Sequence, residues 1–446
     1  MKTTRRTFIK TSAATAGAAG TPFILPSHIW AADTKPNDRV VMGFIGMGKQ
    51  NGGLMRGFMG RDTQVVAVCD VDTSRRENAQ KKANDYYVSK PEKGTADVKG
   101  YNDFRELMAR DDIDAVCIAT PDHWHAIITL AALNSGKDVY CEKPLTHNIH
   151  EAVEVIKAVE SNKRVLQTGS MQRSSKEFRI AAELVQNGAI GKVERVECSF
   201  GDPGRPCDLP EEEMEPGLDW NFWVGPAAMR PYNSTLSPRG VHNHFPHWRN
   251  YKEFGGGMVT DWGAHHLDIA QWGLGKDGSG PVEIRPPAKK GDKRGASLVY
   301  DNGITVTHAD GFGVHFYGSE GAVRVNRGRF HFNRGEEEYK FTRREDGGSL
   351  GRALALAEKA YLSDAKIKLY NSQHGHQQDF LDRMKDRKKP ITSEVVGGGT
   401  AICCHLMNLG YWHNQVLKWD PVRNKFTGGT GDAKWLTRDY RGPWKV

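Results

Sequence analysis

A chain of 446 residues, 38% hydrophobic and 26% charged, is long enough for two domains and for a full core that needs no disulfide staples. No apolar run approaches the ~18 residues of a membrane-spanning helix, so stable membrane insertion is not expected. The formal net charge of +8 is no nucleic-acid signature, because Lys2, Arg5, Arg6 and Lys10 supply half of it and the rest is diluted over the remaining chain.

The chain opens with Thr4-Arg5-Arg6-Thr7-Phe8-Ile9-Lys10, a weakly apolar stretch from Ser12 to Leu25, and small residues at Ala31-Ala32. A basic start, an apolar middle and a small-residue exit describe an export signal over residues 1–32, and the paired arginines point to the twin-arginine machinery. The protein is therefore expected to be periplasmic or otherwise exported. That route carries folded proteins, so a cofactor would be loaded before export and held tightly. Seven scattered cysteines contain no CxxC pair, which reads as buried free thiols and not as disulfides or a metal site.

From residue 39 onward strands and helices alternate. Apolar runs at 39–46, 64–70, 113–120, 138–141 and 164–168 suit strands buried on both faces. Helical spacing follows from about His125 to Asn134, stopped by Gly136. A second helix runs from Asn148, where Asn148 and Glu151 form a capping-box pattern. This order predicts a doubly wound parallel sheet, a Rossmann domain over 33–165. Its first strand runs into Gly43-Phe44-Ile45-Gly46-Met47-Gly48-Lys49-Gln50-Asn51-Gly52. Gly46 and Gly48 suit a turn that lets the backbone approach a pyrophosphate. The third glycine position holds Asn51, with Gly52 one residue late, which bears on how closely the following helix packs. Asp70 ends the next strand, where an acid binds adenosine ribose hydroxyls and repels a 2′-phosphate, so NAD is expected over NADP. Arg75 and Arg76 are read as solvent-facing helix residues.

Three further segments carry more. They are Ala119-Thr120-Pro121-Asp122-His123-Trp124-His125, Cys141-Glu142-Lys143-Pro144-Leu145, and the run from Gly255-Gly256-Gly257 through Asp261, His265 and His266 to Asp268. In this order they resemble the Gfo/Idh/MocA family of sugar and cyclitol oxidoreductases, whose exported, glucose–fructose oxidoreductase-like members also carry twin-arginine leaders. The resemblance implies an N-terminal Rossmann domain, a C-terminal substrate and oligomerisation domain over 166–446 with an open, mostly antiparallel sheet, and an active site between them. It implies that Lys143, Asp261 and His265 handle the reacting hydroxyl. It places the cofactor against Gly46, Met47, Gly48, Lys49, Asp70, Thr120, Pro121, His123, His125, Glu142 and Lys143. Hydride transfer to or from a ring hydroxyl carbon of a sugar, glycoside or cyclitol follows as the expected activity, in a dimer or tetramer. The second reading is a glycosidase that uses NAD transiently, by oxidation, elimination and reversal.

The residues support this independently. Lys143 ends a strand, where ligands of open α/β sheets bind and where an ammonium can steady an oxygen that becomes a carbonyl. Asp261 and His265 are four apart, on one face of a helix after the glycines, and a histidine there can move a proton. His266 reads by itself as a core histidine; Asp268 is a helix-face residue or a substrate contact. Past a helix from Ser174 to Asn187, expected to carry a capping box with Glu177, runs at 196–200, 296–300, 304–308, 314–317 and 322–325 predict an antiparallel sheet. The irregular stretch from Gly201 to Lys252 holds Trp220, Phe222, Trp223, Tyr232, Phe245 and Trp248, either as a carbohydrate-lined lid or as a loop anchored by its own rings. Candidate substrate contacts are Arg173, Trp223, His244, Trp248 and His266. His242, His244 and His247 lack ligand spacing, so no metal is expected. One of His374 and His376 is a further candidate for the pocket.

Overall fold

The computed structural model describes residues 38–372 and 374–446. The leader expected over 1–32 lies outside the described residues.

The first half alternates β1 (Val40–Ile45), α1 (Lys49–Met59), β2 (Thr63–Cys69), α2 (Thr73–Ser89), β3 (Lys99–Tyr101), α3 (Phe104–Met108), β4 (Ala115–Ile118), α4 (Asp122–Asn134), β5 (Asp138–Cys141), α5 (Ile149–Asn162) and β6 (Leu166–Thr168). The strands form one parallel sheet in the order β3-β2-β1-β4-β5-β6. The order reverses between β1 and β4, which opens a crevice at their carboxyl ends. β4 and β5 are fully buried, as continuous apolar runs require. β3 escaped the sequence reading because Lys99-Gly100-Tyr101 is a short, largely exposed edge strand. α4 starts at Asp122, earlier than the periodic pattern indicates, directly after Pro121.

The cap of α5 forms as the sequence indicates and then extends. The Asn148 side chain accepts from the Glu151 N–H at 2.9 Å, and Glu151 Oε2 accepts from the His147 N–H at 2.8 Å. The fully buried Glu151 also takes Arg438 and Tyr440 from the C-terminal segment. The expected capping box at Glu177 does not form. The helix is α6 (Lys176–Gln186), capped by Ser175 without a side-chain bond, while Glu177 accepts from the Gly328 N–H of a distant hairpin.

The second half adds β7 (Val193–Ser199), α7 (Trp220–Val224), α8 (Met258–Asp261), α9 (Gly263–Gly273), β8 (Glu283–Arg285), β9 (Ser297–Val299), β10 (Thr305–Ala309), β11 (Val314–Gly318), β12 (Gly321–Asn326), β13 (Arg329–Arg334), β14 (Glu337–Phe341), α10 (Leu350–Tyr361), α11 (His376–Asp386), α12 (Glu394–His413), β15 (Leu417–Asp420) and β16 (Lys425–Thr427). Its sheet runs β14-β13-β12-β11-β7-β10-β9-β8-β15-β16, and only β7 and β10 pair in parallel. One face is apolar. Val196, Val314, Phe316, Val323, Val325, Phe330 and Phe332 are completely buried, paired across strands as Phe316–Val196, Val323–Phe332 and Val325–Phe330. That face packs under α6, α9 and α12, and α12 also packs on α5, which ties the two halves together. The stretch at 201–252 carries its own small core of Leu218, Trp220, Trp223, Tyr232, Trp248 and Phe254. Its rings therefore anchor the loop, and one edge of it lines the crevice described next.

Candidate active site

The crevice at the β1/β4 reversal holds two connected pockets that share Gln50, Ala119, Thr120, Phe245, Trp248 and Arg249. The first is built on the glycine turn. Gly46 stands at φ +82°, and a Cβ there would lie 2.8 Å from the Thr120 N, so this glycine lets β1 and the β4 end approach. Gly48 is different: nothing lies within 4 Å of where its Cβ would be, and it opens α1 with no side-chain cap. An open backbone at an uncapped helix N-terminus suits a pyrophosphate, with Lys49 at the same wall. Asn51 does not loosen the helix. It is fully buried, and its amide donates to the carbonyls of Ile45 (3.0 Å) and Cys117 (3.4 Å), joining β1 to β4.

Asp70 closes the adenosine end. Its carboxylate accepts from the N–H groups of Met47 (2.6 Å) and Asp72 (2.9 Å), and burial raises its pKa against the pull of Arg75. Met47 thus acts through its backbone. The expectation that Arg75 faces solvent is wrong. It is buried, pairs with Asp72 at 3.5 Å and donates to Ser237, Pro238 and Gly240 of the second half, because a loop of that half folds over α2. Arg76 is half-buried and donates to the Asp70 carbonyl, Asn102 and Thr73. Both guanidinium groups are thus already engaged. A nicotinamide dinucleotide fits this pocket: Gly48, Lys49 and the α1 N-terminus suit its phosphates, and Asp70 suits its adenosine ribose.

The second pocket, of about 540 Å³, contains Lys143, Asp261 and His265. Lys143 follows β5 in a turn whose Lys143–Pro144 peptide is cis. Its ammonium pairs with the Asp261 carboxylate and also donates to the Asp261 carbonyl at 3.1 Å. Arg249 lies 3.7 Å from the same carboxylate. Burial would raise the Asp261 pKa, but Lys143 and Arg249 outweigh it and hold the group ionised below its ordinary range. Asp261 and His265 fall on two helices, α8 and α9, separated by Trp262, and no hydrogen bond joins their side chains among the described residues. Burial, and then the Lys143 charge, push His265 well below the usual histidine value. Its Nδ1 is buried without a hydrogen-bond partner. A neutral imidazole facing a pocket beside an ammonium can take a proton from an oxygen that the ammonium holds.

Around this triad, Glu142 accepts from Gln50 Nε2 at 2.8 Å and is raised in pKa by burial, against Lys143. The His125 ring lies between the carbonyls of Pro144 (2.6 Å) and Thr120 (2.9 Å), and burial lowers its pKa to about 4. Thr120 and Pro121 line the nucleotide pocket, and Trp248 lines both pockets.

Several candidates stand elsewhere. His123 is fully buried with its ring on the Trp223 carbonyl, packed against Phe254. Trp223 faces the nucleotide pocket, not the triad. Arg173 is buried off the pocket because Asp268 and Asp277 both chelate its guanidinium, which also makes Asp268 a structural partner. His266 turns its Nδ1 to the Ser199 carbonyl of β7 at 2.6 Å. His244 is on the surface against His242. His376 is buried between Thr168 and Ser174, and His374 is exposed.

Sequence reasoning passed over other residues that line the triad pocket: Gln50, Asp122, Trp262 and Arg327. Asp122 was legible inside the quoted segment; burial raises its pKa well above the carboxylate range. Arg327, at the β12–β13 turn, carried no sequence signal. Nor did Trp444, whose ring packs on Phe104, Trp124 and Phe222, all of them walls of the nucleotide pocket.

Residues 40–170 match the family model of an oxidoreductase family with an NAD-binding Rossmann fold, and residues 189–327 match that of its C-terminal alpha/beta domain. An inositol 2-dehydrogenase of Rhodococcus jostii is 35% identical over 127 residues, 28% of this chain and 35% of that protein. A glycosyl hydrolase family 109 protein of Shewanella pealeana is 27% identical over 214 residues, 45% of this chain and 46% of that one. The chain thus matches less than half the length of these relatives. Among solved structures, an aldose–aldose oxidoreductase from Caulobacter crescentus superposes with a TM-score of 0.55 at 15% identity, covering 85% of this chain and 99% of that one. A levoglucosan dehydrogenase solved with NADH and levoglucosan gives 0.55 at 16% identity over the same shares. At these identities the superpositions show the fold.

Proposed function

The chain belongs to the Gfo/Idh/MocA oxidoreductase family, and from that premise we propose that it moves hydride between NAD and a ring CH–OH carbon of a sugar, glycoside or cyclitol. The observation that carries the reading is the placement of Lys143, Asp261 and His265 in one pocket that opens into the pocket of the glycine turn. The bound dinucleotide would accept or return the hydride. Lys143 donates to the substrate oxygen, Asp261 holds the ammonium in place, and the neutral His265 takes the hydroxyl proton. NAD is preferred over NADP because Asp70 opposes a 2′-phosphate and both nearby arginines already donate to protein acceptors.

The matches to family 109 glycosyl hydrolases favour a second reading, in which oxidation is transient. Oxidising a ring carbon acidifies the adjacent C–H, which permits elimination of an aglycone; water then adds to the unsaturated ketone and the hydride returns. Export through the twin-arginine leader at 1–32, with NAD loaded and the chains in a dimer or tetramer, belongs to the same proposal.

The test is to denature the purified protein and identify the released nucleotide. Intact protein is then screened against sugars, cyclitols and glycosides for absorbance of the reduced nucleotide. Stoichiometric reduction supports the dehydrogenase, and aglycone release without net reduction supports the glycosidase. Absence of both, with a clear preference for NADP in binding, would overturn the proposal.

A further inference from the structure

Three cations line the triad pocket, Lys143, Arg249 and Arg327, and one of them has no acid partner among the described residues. Lys143 and Arg249 share a single carboxylate, Asp261. Glu142 accepts from the Gln50 amide and the Lys143 N–H. Arg327 is the third cation. It reaches the pocket wall from the turn between β12 and β13, and its guanidinium lies 4.7 Å over the Trp262 ring. No hydrogen bond or ion pair to an acid engages it among the described residues. Burial disfavours the charge of Arg327 even so, and the acids that act on it are Glu142 and Asp261, both already occupied by other groups. Asp122, the remaining carboxyl of the pocket, has its pKa raised by burial and makes no ion pair with Arg327 among the described residues.

The aromatic rings at the pocket add a second observation. Trp262 is 39% exposed and Phe245 49%, although both are large apolar groups. Arg327 covers Trp262, while Lys49 and Arg249 flank Phe245. A flat ring exposed at a pocket stacks on the C–H face of a pyranose. A guanidinium beside that ring, free to present two parallel N–H groups, matches a planar carboxylate.

We propose that the substrate of this site is an acidic sugar, a hexuronate or its glycoside, whose carboxylate pairs with Arg327 while its ring packs on the part of Trp262 that Arg327 leaves exposed. This rests on the sugar reading above and sharpens it. The carboxylate would give Arg327 an acid partner and set the distance between the acid group and the carbon presented to Lys143 and His265.

The experiment uses protein loaded with NADH, so that binding is read without turnover. Calorimetry compares glucuronate, galacturonate and mannuronate, and their methyl glycosides, with the corresponding neutral sugars; glucose 6-phosphate is included. At least one acid is expected to bind ~10–100-fold more tightly than its neutral partner, the range for a charge-assisted pair. Arg327→Gln should collapse that ratio. Arg423→Gln, an exposed arginine of the β15–β16 turn, should leave it unchanged. Equal or weaker binding of every acid, or tighter binding of the sugar phosphate than of any acid, overturns the carboxylate assignment while NADH binding leaves the oxidoreductase reading standing. Failure to bind NADH at all is the separate result that removes the underlying reading.

Discussion

Lys143→Met tests the centre of the site. The substitution keeps the stem and removes the ammonium. In the native pocket that ammonium is paired with Asp261, both side chains being about 15% exposed. Losing one positioned acid/base group is expected to lower turnover by ~10²–10⁴, which is about 3–5 kcal/mol of barrier. The cost to folding is smaller. Asp261 keeps Arg249 at 3.7 Å, so the loss is about 1–3 kcal/mol, not the larger penalty of a buried charge left alone. The two effects separate in thermal melting with and without NAD, run beside turnover of the best sugar found. A pH profile adds a third readout. Lys143 is, after burial, the largest influence holding His265 below its ordinary value, so removing it lets that value rise and moves the acidic limb of kcat/KM to higher pH. His265→Ala should lose a similar factor, and the double variant far less than the product, since both groups act on one oxygen. Near-normal turnover of a well-folded Lys143→Met protein, or an acidic limb that stays in place, would refute the reasoning.

The two glycines of the turn should behave differently. Gly48→Ala meets open space and leaves melting unchanged while weakening nucleotide binding at least ~10-fold, whereas Gly46→Ala, at φ +82° and against the backbone of Thr120, destabilises the fold itself. Equal effects on melting would count against the assignment of Gly48 to phosphate. Acid should unfold the protein early. Burial holds His123 at about 3 and His125 and His376 at about 4, against 6.5 for the free side chain. Above 6.5 neither state is protonated; below it the unfolded chain takes up protons that the native state refuses, and stability falls by about 1.4 kcal/mol per histidine per pH unit. Denaturant titrations at pH 7.5 and 5 read this directly, and equal midpoints would contradict it. Trp444→Ala removes ring contacts worth about 0.5–1.5 kcal/mol each. It should raise the NAD dissociation constant about five- to tenfold by loosening Phe104, Trp124 and Phe222, and an unchanged constant would mean that these walls stand without it.

Much was legible because it follows from local chemistry. Buried parallel strands must be apolar throughout, so β1, β2, β4, β5 and β6 could be read from composition. The glycine turn, Asp70 and Lys143 could be placed because each follows directly from the end of such a strand. The alternating residues of β7, β10, β11 and β12 showed one buried face and hence the second sheet. β3 and β14 were passed over, since polar edge strands have no such signature. So was α12, where a Gly-rich start at 397–399 hid a long buried helix.

Amino-acid order alone thus determined the two-sheet plan, the nucleotide turn and three residues of the candidate site. Only the tertiary structure decided which polar residues face the pocket. Arg173, His244 and His266 have the chemistry of substrate contacts, yet Asp268 and Asp277 chelate the first, solvent takes the second and the Ser199 carbonyl takes the third. Arg327 gave no local sign, and it enters the site from a distant hairpin. The physical reason is that a charged side chain goes wherever its partners are. Those partners can lie a hundred residues or more away in sequence, beyond the reach of any pattern of spacing; Arg173 and Asp277 are 104 apart.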